Sequence, residues 1–543
     1  MKRLLIVAAM AASVVACTPE TVLDADYQVI PLPESIVDNG GEAFVLTPST
    51  VITCDDASRS SATFLAGYIK EITGLTLKIS PKVKEKDFIM ITQSGEGNPE
   101  SYCMEVTSDH ISITGADAAG AFYGVQTLRK SLPVISEGKA CVRFAPVTVT
   151  DRPRFAYRGL HFDCCRHFFD VDFIKKYIDL MAMHNINTFH WHLTEDQGWR
   201  VEIKKYPALT EVGAYRDGTM IGKDWDSNDG IRYGGFYTQD EIRDVVAYAA
   251  ARHIRIIPEV DLPGHMLAAL ASYPELGCTG GPYKVSGTWG VFPDVLCAGN
   301  DKTYTFLEDV LAEFAGLFPC EYFHIGGDEC PKERWEACEK CQAKIKELGI
   351  VPTDGKTAEN LLQGYIMRRM GDFLRAKGKK IIGWDELMEC DVPDAVVMSW
   401  RGEAGGIAGA TSGHDVIMVP NNYFYFDYGQ SQSPDEPLNI GGYVPVEKVY
   451  GYEPLTGTLA EDAEAASHII GIQANVWTEY MTTGDYVEYM VIPRIDALSE
   501  VQWTSGRGKD YQAFLTRLER QRKLYDKLGY NYAKHVFTEG VKE

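Results

Sequence analysis

The sequence has few basic residues for its length. Its 543 residues include 53 Lys and Arg against 76 Asp and Glu, so the formal net charge is −23. A nucleic-acid-binding protein needs a basic surface that displaces counterions from phosphates, and this balance argues against one unless a basic patch is local. Hydrophobic residues make up 45% and charged residues 24% of the chain, which excludes wholesale disorder. The length predicts two to four domains, or one large α/β barrel with an extra domain.

Long apolar runs are also missing, apart from a short one at the start. This run follows Lys2 and Arg3, ends at Ala16, and is too short to span a bilayer as a mature helix. The basic-then-apolar order is typical of a secretory signal, and the small residue before Cys17 resembles a bacterial lipobox. We therefore expect residues 1–17 to be a lipoprotein signal peptide, with lipid on Cys17. The mature protein would be exported and anchored in the bacterial cell envelope, in the periplasm or at the outer membrane, through this lipid alone. A plain signal peptide with a chance cysteine is the alternative.

Complete metal-binding patterns are absent. Twelve cysteines remain after the leader, and an exported chain of this size does not depend on disulfides for a core. Cys338-x-x-Cys341, with Cys330 upstream, is half of a zinc pattern whose second half is missing at the usual spacing. Disulfides and free thiols are the other interpretations, and the sequence does not choose between them. His190 and His192 share a strand face but lack a third ligand, so we expect no metal and no cofactor.

Residues 25–150 are predicted to form a small α+β domain. A strand-like run covers 88–92, and two alternating runs, 102–106 and 111–114, are separated by turn residues as in a hairpin. Residues 118–128 have the pattern of a helix. No acid, base and nucleophile occur together in this region, which indicates an accessory domain.

Residues 151–510 alternate between strand and helix patterns. One predicted helix begins with the capping box Thr238–Glu241, and apolar residues recur at helical spacing in most of the gaps between strands. Eight apolar runs predict the strands: 157–163, 187–193, 254–261, 321–328, 380–385, 395–400, 415–420 and 471–477. Eight strands alternating with helices predict a (β/α)8 TIM barrel as the catalytic domain. A helical segment, 511–543, would follow it.

The ends of these strands carry acids and aromatic residues. Active sites of this fold lie at the carboxyl ends of the strands. In chain order the ends are Asp163 to Arg166, Glu195-Asp196, Glu259 to His265, Asp328-Glu329, Trp384 to Glu386, Trp400-Arg401, Tyr425 to Asp427 and Trp477 to Glu479. Flat tryptophan faces pack on the apolar side of a pyranose ring, and carboxylates accept hydrogen bonds from its hydroxyls. Since neither a Ser-His-Asp elbow nor a phosphate-cradling loop is present, the pattern favours glycoside hydrolysis.

The string His324-Ile-Gly-Gly-Asp328-Glu329 is the strongest single signal. Its two glycines allow a ligand or a neighbouring segment to come close. Adjacent residues of a strand point to opposite faces, so Asp328 and Glu329 are poorly placed as two opposed carboxylates across one bond. They could instead serve different parts of one substrate, the glycosidic oxygen and a substituent. A solvated acidic strand end is the alternative.

Six ordered motifs resemble glycoside hydrolase family 20, the β-N-acetylhexosaminidases. The preceding region resembles the small α/β domain that these enzymes carry. The motifs are Cys165-Arg-His-Phe168, His190-Trp-His-Leu-Thr-Glu-Asp196, Asp261-Leu-Pro-Gly-His265, Gly326-Gly-Asp-Glu329, Tyr425-Phe-Asp427 and Trp477-Thr-Glu479.

This resemblance implies substrate-assisted, retaining catalysis, an exception to the two-carboxylate rule. The 2-acetamido oxygen of the substrate would attack the anomeric carbon and form an oxazolinium intermediate, which water then opens. Glu329 would be the general acid and base. Asp328 would hold the acetamido N–H, and Tyr425 would donate to the acetamido oxygen.

The resemblance also implies the residues that bind the sugar. Arg166, Asp427 and Glu479 would hold its hydroxyls, and the pocket walls would be Trp384, Trp400 and Trp477. Glu195 would pair with His265 and tune the acid. The family commonly has Asp at the position of Glu195, so the geometry of that pair is open, and Asp196 could take over the contact.

We therefore expect an exo-acting enzyme that releases terminal non-reducing N-acetylglucosamine or N-acetylgalactosamine from glycans. The glycan is its only expected partner, with no nucleic acid. Two alternatives stay open. One is a disaccharide-releasing relative such as a lacto-N-biosidase, and the other is a glycan-binding barrel without catalysis.

Overall fold

The computed structural model describes residues 21–353, 355–505 and 509–539. The predicted signal peptide with Cys17 therefore lies outside the described residues, as do residues 540–543 of the predicted C-terminal segment. Among the described residues, no helix has the length and apolar character needed to cross a bilayer.

The region before the barrel contains a mixed sheet of seven strands and two helices. The helices are Arg59–Thr73 and Ala118–Ser131. The predicted hairpin is present, since Tyr102–Val106 pairs antiparallel with His110–Gly115. In spatial order the strands are Ser35–Asp38, Val147–Asp151, Tyr102–Val106, His110–Gly115, Phe88–Gln93, Val51–Cys54 and Lys78–Ile79. A separate three-stranded sheet consists of Val22–Asp24, Cys141–Phe144 and Phe44–Leu46.

Eight parallel strands form a closed barrel, which confirms the predicted fold class. We label them β1 Tyr157–Asp163, β2 Thr188–His192, β3 Arg255–Glu259, β4 Tyr322–His324, β5 Lys380–Trp384, β6 Val396–Ser399, β7 Val416–Met418 and β8 Ile469–Ala474. The barrel closes because β1 pairs with both β2 and β8, with Tyr157 opposite Gly471. Apolar side chains such as Ile257, Ile382 and Met398 fill its interior, as expected for a packed barrel core.

Helices lie between the strands, and several short elements decorate the connections. The helices from β1 to β6 are Val171–Met183, Ala208–Glu211, Gln239–Ala250, Leu267–Ser272, Asp301–Leu317, Glu333–Ala337, Glu339–Glu347, Ala358–Arg375 and Leu387–Cys390. After β6 they are Ala404–Thr411, Asn421–Phe424, Val446–Gly451, Thr458–Glu461, Ala463–Ser467, Gly484–Val491, Arg494–Trp503, Tyr511–Leu528 and His535–Glu539. Two small hairpins, Thr194–Glu195 with Gly198–Trp199 and Tyr215–Arg216 with Tyr233–Gly234, extend the connection after β2.

Buried polar contacts join the small domain to the barrel. Arg158 on β1 donates to Glu100 Oε2 at 2.8 Å and to the Tyr123 hydroxyl at 2.9 Å. Trp503 donates to Asp151 at 2.9 Å. Because a buried charge without a partner is strongly unfavourable, these contacts hold the accessory domain in one position on the barrel.

Candidate active site

The predicted catalytic and sugar-binding residues all lie at the carboxyl ends of the barrel strands or in the connections that follow. The connection after β3 supplies His265, that after β4 supplies Asp328 and Glu329, and that after β7 supplies Tyr425. The strand ends therefore bring together residues that are far apart in the sequence.

His265 lies between two pairs of carboxylates. Its Nδ1 is 2.7 Å from Glu195 Oε1 and 3.1 Å from Asp196 Oδ2. Its Nε2 is 3.5 Å from Glu329 Oε2 and 3.9 Å from Asp328 Oδ2. Burial opposes a charge on His265, but the surrounding carboxylates raise its pKa well above the usual range. The imidazole therefore links the predicted acid to Glu195 and Asp196 together.

Asp196 makes the second of these contacts, which the sequence leaves open. Its other oxygen, Oδ1, accepts the Leu267 N–H at 2.9 Å, so the carboxylate is fixed on both sides. Burial raises the pKa of Asp196 to about 6. Glu195 is therefore not the only acid that pairs with His265, because the Asp196 side chain contacts the ring as well.

Arg166 has two carboxylate partners. Its Nη2 lies 3.0 Å from Glu195 Oε2, and its Nη1 lies 3.5 Å from Asp163 Oδ2. The guanidinium is also 5.0 Å from the ring centre of Trp477. Burial opposes the charge, yet Glu195, Asp163 and the nearby Glu479 raise the pKa of Arg166 well above its ordinary value. Arg166 is thus a permanently charged donor held at the barrel mouth.

The sequence places Asp328 and Glu329 on a strand, and that prediction is wrong. Strand β4 ends at His324, and both glycines that follow are left-handed, with φ of 63° at Gly326 and 103° at Gly327. The two acids therefore lie in a loop, and both face His265 instead of opposite sides of a sheet. Glu329 itself has φ of 44°, a conformation that a non-glycine residue adopts only when its surroundings hold it there.

Asp261 explains Gly326 and also contacts Gly327. A Cβ built on Gly326 would lie 1.7 Å from Asp261 Oδ1, and the Gly327 N–H donates to that same oxygen at 3.2 Å. The Asp261 side chain also hydrogen-bonds to Asp328. The close approach that the sequence predicts is thus made by a buried carboxyl of the neighbouring connection.

Asp328 is the more enclosed of the two acids. Its side chain is 14% exposed, against 41% for Glu329. Burial raises the pKa of Asp328 to about 6, with His265 opposing the shift and Glu329 adding to it. Glu329 is accessible from outside the site, and Asp328 lies deeper.

An aromatic wall faces these acids. Trp400 stacks on Tyr425, with ring centres 6.1 Å apart and planes within 13°. Trp477 lies 6.3 Å from Tyr425 and 6.0 Å from Trp384, so the four rings form a continuous surface. Burial, Asp427 and Asp328 raise the pKa of Tyr425 well above its usual value, so its hydroxyl remains a donor.

Glu259 is a positioning residue that the sequence interpretation leaves outside the site. It accepts the Trp384 indole N–H at 3.0 Å. The same carboxylate lies 2.5 Å from His192, 3.0 Å from His190 and 2.9 Å from His324. Glu259 therefore links the three histidines under the aromatic wall, and its contact with His192 Nδ1 is a hydrogen bond. The signal was available, since Glu259 is an acid at an inward strand end.

Three carboxylate oxygens at the mouth lack partners. Among the described residues, Asp328 Oδ1, Asp427 Oδ1 and Glu479 Oε2 are buried and accept no hydrogen bond. Burial and the charge of Glu479 raise the pKa of Asp427 well above its usual range, and burial raises that of Glu479 although Arg166 opposes it. Buried acceptors without donors are costly, so this arrangement suits a ligand that brings hydroxyl and amide N–H groups.

A groove of about 440 Å³ has Glu329 in its lining. Its lining includes Glu386, Arg401, Lys332 and Val291. Burial and the charge of Asp328 raise the pKa of Glu386 to about 8, and the Glu386 carboxylate accepts the Trp400 indole N–H at 3.1 Å. Glu386 was not predicted as a site residue, although it directly follows Trp384-Asp385 at the end of β5.

Comparisons with known proteins identify the family of the chain. The family model described as glycosyl hydrolase family 20, catalytic domain, matches residues 155–506, and the one described as domain 2 of that family matches 26–152. A β-hexosaminidase of Porphyromonas gingivalis is 42% identical over 519 residues. That match covers 94% of this chain and 64% of the relative, so the chain spans less than two thirds of that protein's length.

Two further relatives match more completely. A β-N-acetylhexosaminidase of Cellulomonas fimi is 31% identical, with 93% of this chain and 96% of that protein covered. The crystal structure of a GH20 exo-β-N-acetylglucosaminidase from Vibrio harveyi, in complex with N-acetylglucosamine, has a TM-score of 0.83 at 34% identity. It covers 95% of this chain and 79% of that one. The chain therefore belongs to glycosyl hydrolase family 20, a family of enzymes that hydrolyse glycosidic bonds.

Proposed function

We propose that this chain is an exo-acting β-N-acetylhexosaminidase that removes terminal non-reducing N-acetylglucosamine or N-acetylgalactosamine from glycans. The observation that carries the proposal is the convergence of Asp328 and Glu329 on His265, opposite a wall that includes Tyr425. The relatives named β-hexosaminidase, and the matching structure with bound N-acetylglucosamine, support the choice of sugar.

In the proposed first step the substrate supplies its own nucleophile. The acetamido carbonyl oxygen forms a bond to the anomeric carbon while the bond from that carbon to the glycosidic oxygen breaks. Glu329 gives its proton to the departing oxygen. Asp328 accepts the acetamido N–H and balances the positive charge that develops on the ring formed. Tyr425 donates its O–H to the acetamido oxygen and keeps it aimed at the carbon.

In the second step water opens the oxazolinium ring. Glu329, now a carboxylate, takes a proton from the water, whose oxygen bonds to the anomeric carbon. The bond from that carbon to the acetamido oxygen breaks, and the acetamido group is restored. Two displacements at one carbon leave its configuration unchanged, so the product retains the β configuration.

His265 would couple the acid to its supporting charges. Its Nδ1 is held by Glu195 and Asp196, which leaves Nε2 to face Glu329 at 3.5 Å. An imidazolium held in this way stabilises Glu329 while it is a carboxylate between the two steps. Both Glu195 and Asp196 therefore act through His265.

The remaining mouth residues fit the rest of the sugar. Arg166 supplies charged donors, and the unpartnered oxygens of Asp427 and Glu479 accept from ring hydroxyls. The walls formed by Trp384 and Trp477 offer flat faces to the pyranose. The groove beyond Glu329 gives room for the leaving part of the glycan, since that residue must contact the glycosidic oxygen. The comparisons give no support to the disaccharide-releasing enzyme or to the binding protein without catalysis.

We also propose that the protein is exported and held in the envelope by lipid on Cys17. The support is the basic, then apolar, then small-residue order of residues 1–17. Mass spectrometry of the N-terminal peptide of the protein from its native membrane should find an acylated cysteine at this position. A mature chain that still begins at Met1, or begins after cleavage elsewhere without lipid, would contradict the anchor.

Glu329→Gln should separate substrates by their leaving groups. The wild-type enzyme should release nitrophenol from a nitrophenyl N-acetylglucosaminide and N-acetylglucosamine from its disaccharide. The variant should lose about 10²- to 10⁴-fold in kcat/KM on the disaccharide, because a sugar oxygen leaves only when protonated. The loss on the nitrophenyl glycoside should be far smaller, because nitrophenolate leaves without protonation.

The control for this variant is Glu333→Gln, which changes an exposed acid four residues further along the chain. It should leave both rates unchanged. An equal loss on both substrates in Glu329→Gln would contradict a role as general acid, and no release by the wild-type enzyme would contradict the function.

Asp328→Asn should slow both substrates by about 10²-fold or more, because a preorganised charge contact to the acetamido group is lost whatever the leaving group. Asp328 acts as a carboxylate, and its pKa is raised to about 6. The kcat/KM of the wild-type enzyme should therefore fall as pH drops below that value, and the fall should disappear in Asp328→Asn, measured as full pH profiles.

Asp196→Asn is the matched comparison, because burial raises the pKa of Asp196 to about 6 as well. The acid limb should persist in Asp196→Asn. If it persists in Asp328→Asn and disappears in Asp196→Asn, the titrating group has been assigned to the wrong carboxyl.

A further inference from the structure

Four cysteines from two connections of the barrel meet at one point. Cys278 and Cys297 lie between β3 and the helix Asp301–Leu317. Cys338 precedes the helix Glu339–Glu347, and Cys341 lies in its first turn. We refer to these four residues as the cysteine tetrad, and their sulfurs all lie within 4.8 Å of one another.

The distances between the sulfurs match a tetrahedral metal site. Cys297 Sγ is 3.8 Å from Cys338 Sγ and 3.7 Å from Cys341 Sγ, and Cys278 Sγ is 3.8 Å from Cys341 Sγ. A zinc–sulfur bond of about 2.3 Å gives a tetrahedron with edges of about 3.8 Å. A disulfide requires about 2.05 Å, and no described cysteine is bridged. We infer that the cysteine tetrad binds one Zn²⁺ ion.

The surroundings suit a closed, thiolate-bound ion. Cys297 and Cys341 are fully buried and Cys338 nearly so. Neighbouring buried thiols stabilise each other only weakly, whereas thiolates that bind one metal ion are strongly stabilised. The Gly299 N–H donates to the sulfurs of Cys297 and Cys341, a neighbouring hydrogen bond of the kind that orients metal ligands. Four protein ligands leave no open position, so the zinc is structural and takes no part in the reaction.

Gly299 also shows how closely the two connections approach. A Cβ built there would lie 2.1 Å from the backbone carbonyl carbon of Lys340 and 2.4 Å from the backbone nitrogen of Cys341. Polar contacts flank the tetrad, with Trp335 donating to the Leu296 carbonyl at 2.9 Å and Arg334 to Asp294 at 2.6 Å. The connection after β3 and the connection after β4 are therefore in direct contact beside the cysteine tetrad.

The cysteine tetrad joins the two connections that carry His265, Asp328 and Glu329. One connection includes the loop that carries His265, and the other includes the loop that carries Asp328 and Glu329. Zinc between them ties the two loops whose side chains face each other at 3.5 Å. The ion therefore supports the active-site rim from outside.

Sequence spacing hides this site. Cys338-x-x-Cys341 is recognisable as half of a zinc pattern, but the other half lies upstream at wide spacing. Cys330, the nearest cysteine to that half on its amino-terminal side, is not part of the tetrad and its thiol points to the Pro331 carbonyl at 3.9 Å. The expectation of no metal rests on the missing second half, which the fold supplies.

The first test measures metal in the purified wild-type protein, prepared with a reductant, without chelator and without a histidine tag. Elemental analysis should find about one zinc per chain after dialysis. Cys278→Ser and Cys341→Ser should each lower zinc affinity by more than about 100-fold, measured by competition with a chromophoric chelator. Cys390→Ser, which changes a buried thiol outside the tetrad, should keep the zinc of the wild type.

A second measurement needs no variant, in case the serine variants do not fold. Excess chelator should withdraw about one zinc from the native wild-type protein and lower its thermal unfolding midpoint. Withdrawal should make Cys278, Cys297, Cys338 and Cys341 reactive to an alkylating reagent identified by peptide mapping. Tetrahedral Co²⁺–thiolate absorption after reconstitution with cobalt would support the ligand set. Wild-type protein without zinc, tetrad cysteines paired as disulfides, or zinc retained in Cys341→Ser would overturn the proposal.

Discussion

The contacts of one histidine ring organise the proposed active site. His265 has two carboxylates on Nδ1 and two near Nε2, so its position sets the position of Glu329. Its own φ of 51° is unusual for a residue with a side chain, and the carboxylates that hold the ring stabilise that conformation. The site depends on this buried charge arrangement, in which a few cationic side chains neutralise a larger number of carboxylates. Among the described residues, the carboxyl oxygens of Asp328, Asp427 and Glu479 that have no hydrogen-bond partner are the ones to which the proposed mechanism assigns donors of the substrate.

The same constraint explains the loops. Asp261 and Asp328 lie close together, and burial together with Asp328 raises the pKa of Asp261 well above its ordinary value. A neutral Asp261 carboxyl can donate to Asp328, while its other oxygen accepts the Gly327 N–H. Only glycine fits at position 326 against that side chain. The backbone at Gly326 and Gly327 therefore bends around the buried Asp261 side chain. This bend directs the carboxylates of Asp328 and Glu329 toward His265.

Much of this architecture was predictable from the sequence, and the exceptions have physical causes. Apolar runs mark all eight barrel strands because each strand is buried on both sides, and the acids and tryptophans at their ends indicate the site. Strand periodicity failed at Asp328 because Gly326 and Gly327 end the strand early. Glu195 or Asp196 was expected to contact His265, but contact by both at once could not be predicted, since it depends on a hairpin turn in the connection after β2. The cysteine tetrad also depends on contacts between distant segments.

The central claim is that the acetamido group of the substrate is the nucleophile. The most direct measurement compares kcat/KM of the wild-type enzyme for a nitrophenyl N-acetylglucosaminide and for the matching nitrophenyl glucoside, which lacks only that group. An intramolecular nucleophile held in place by Asp328 and Tyr425 predicts a loss of at least about 10³-fold for the glucoside. Hydrolysis of both sugars at comparable rates would contradict the claim.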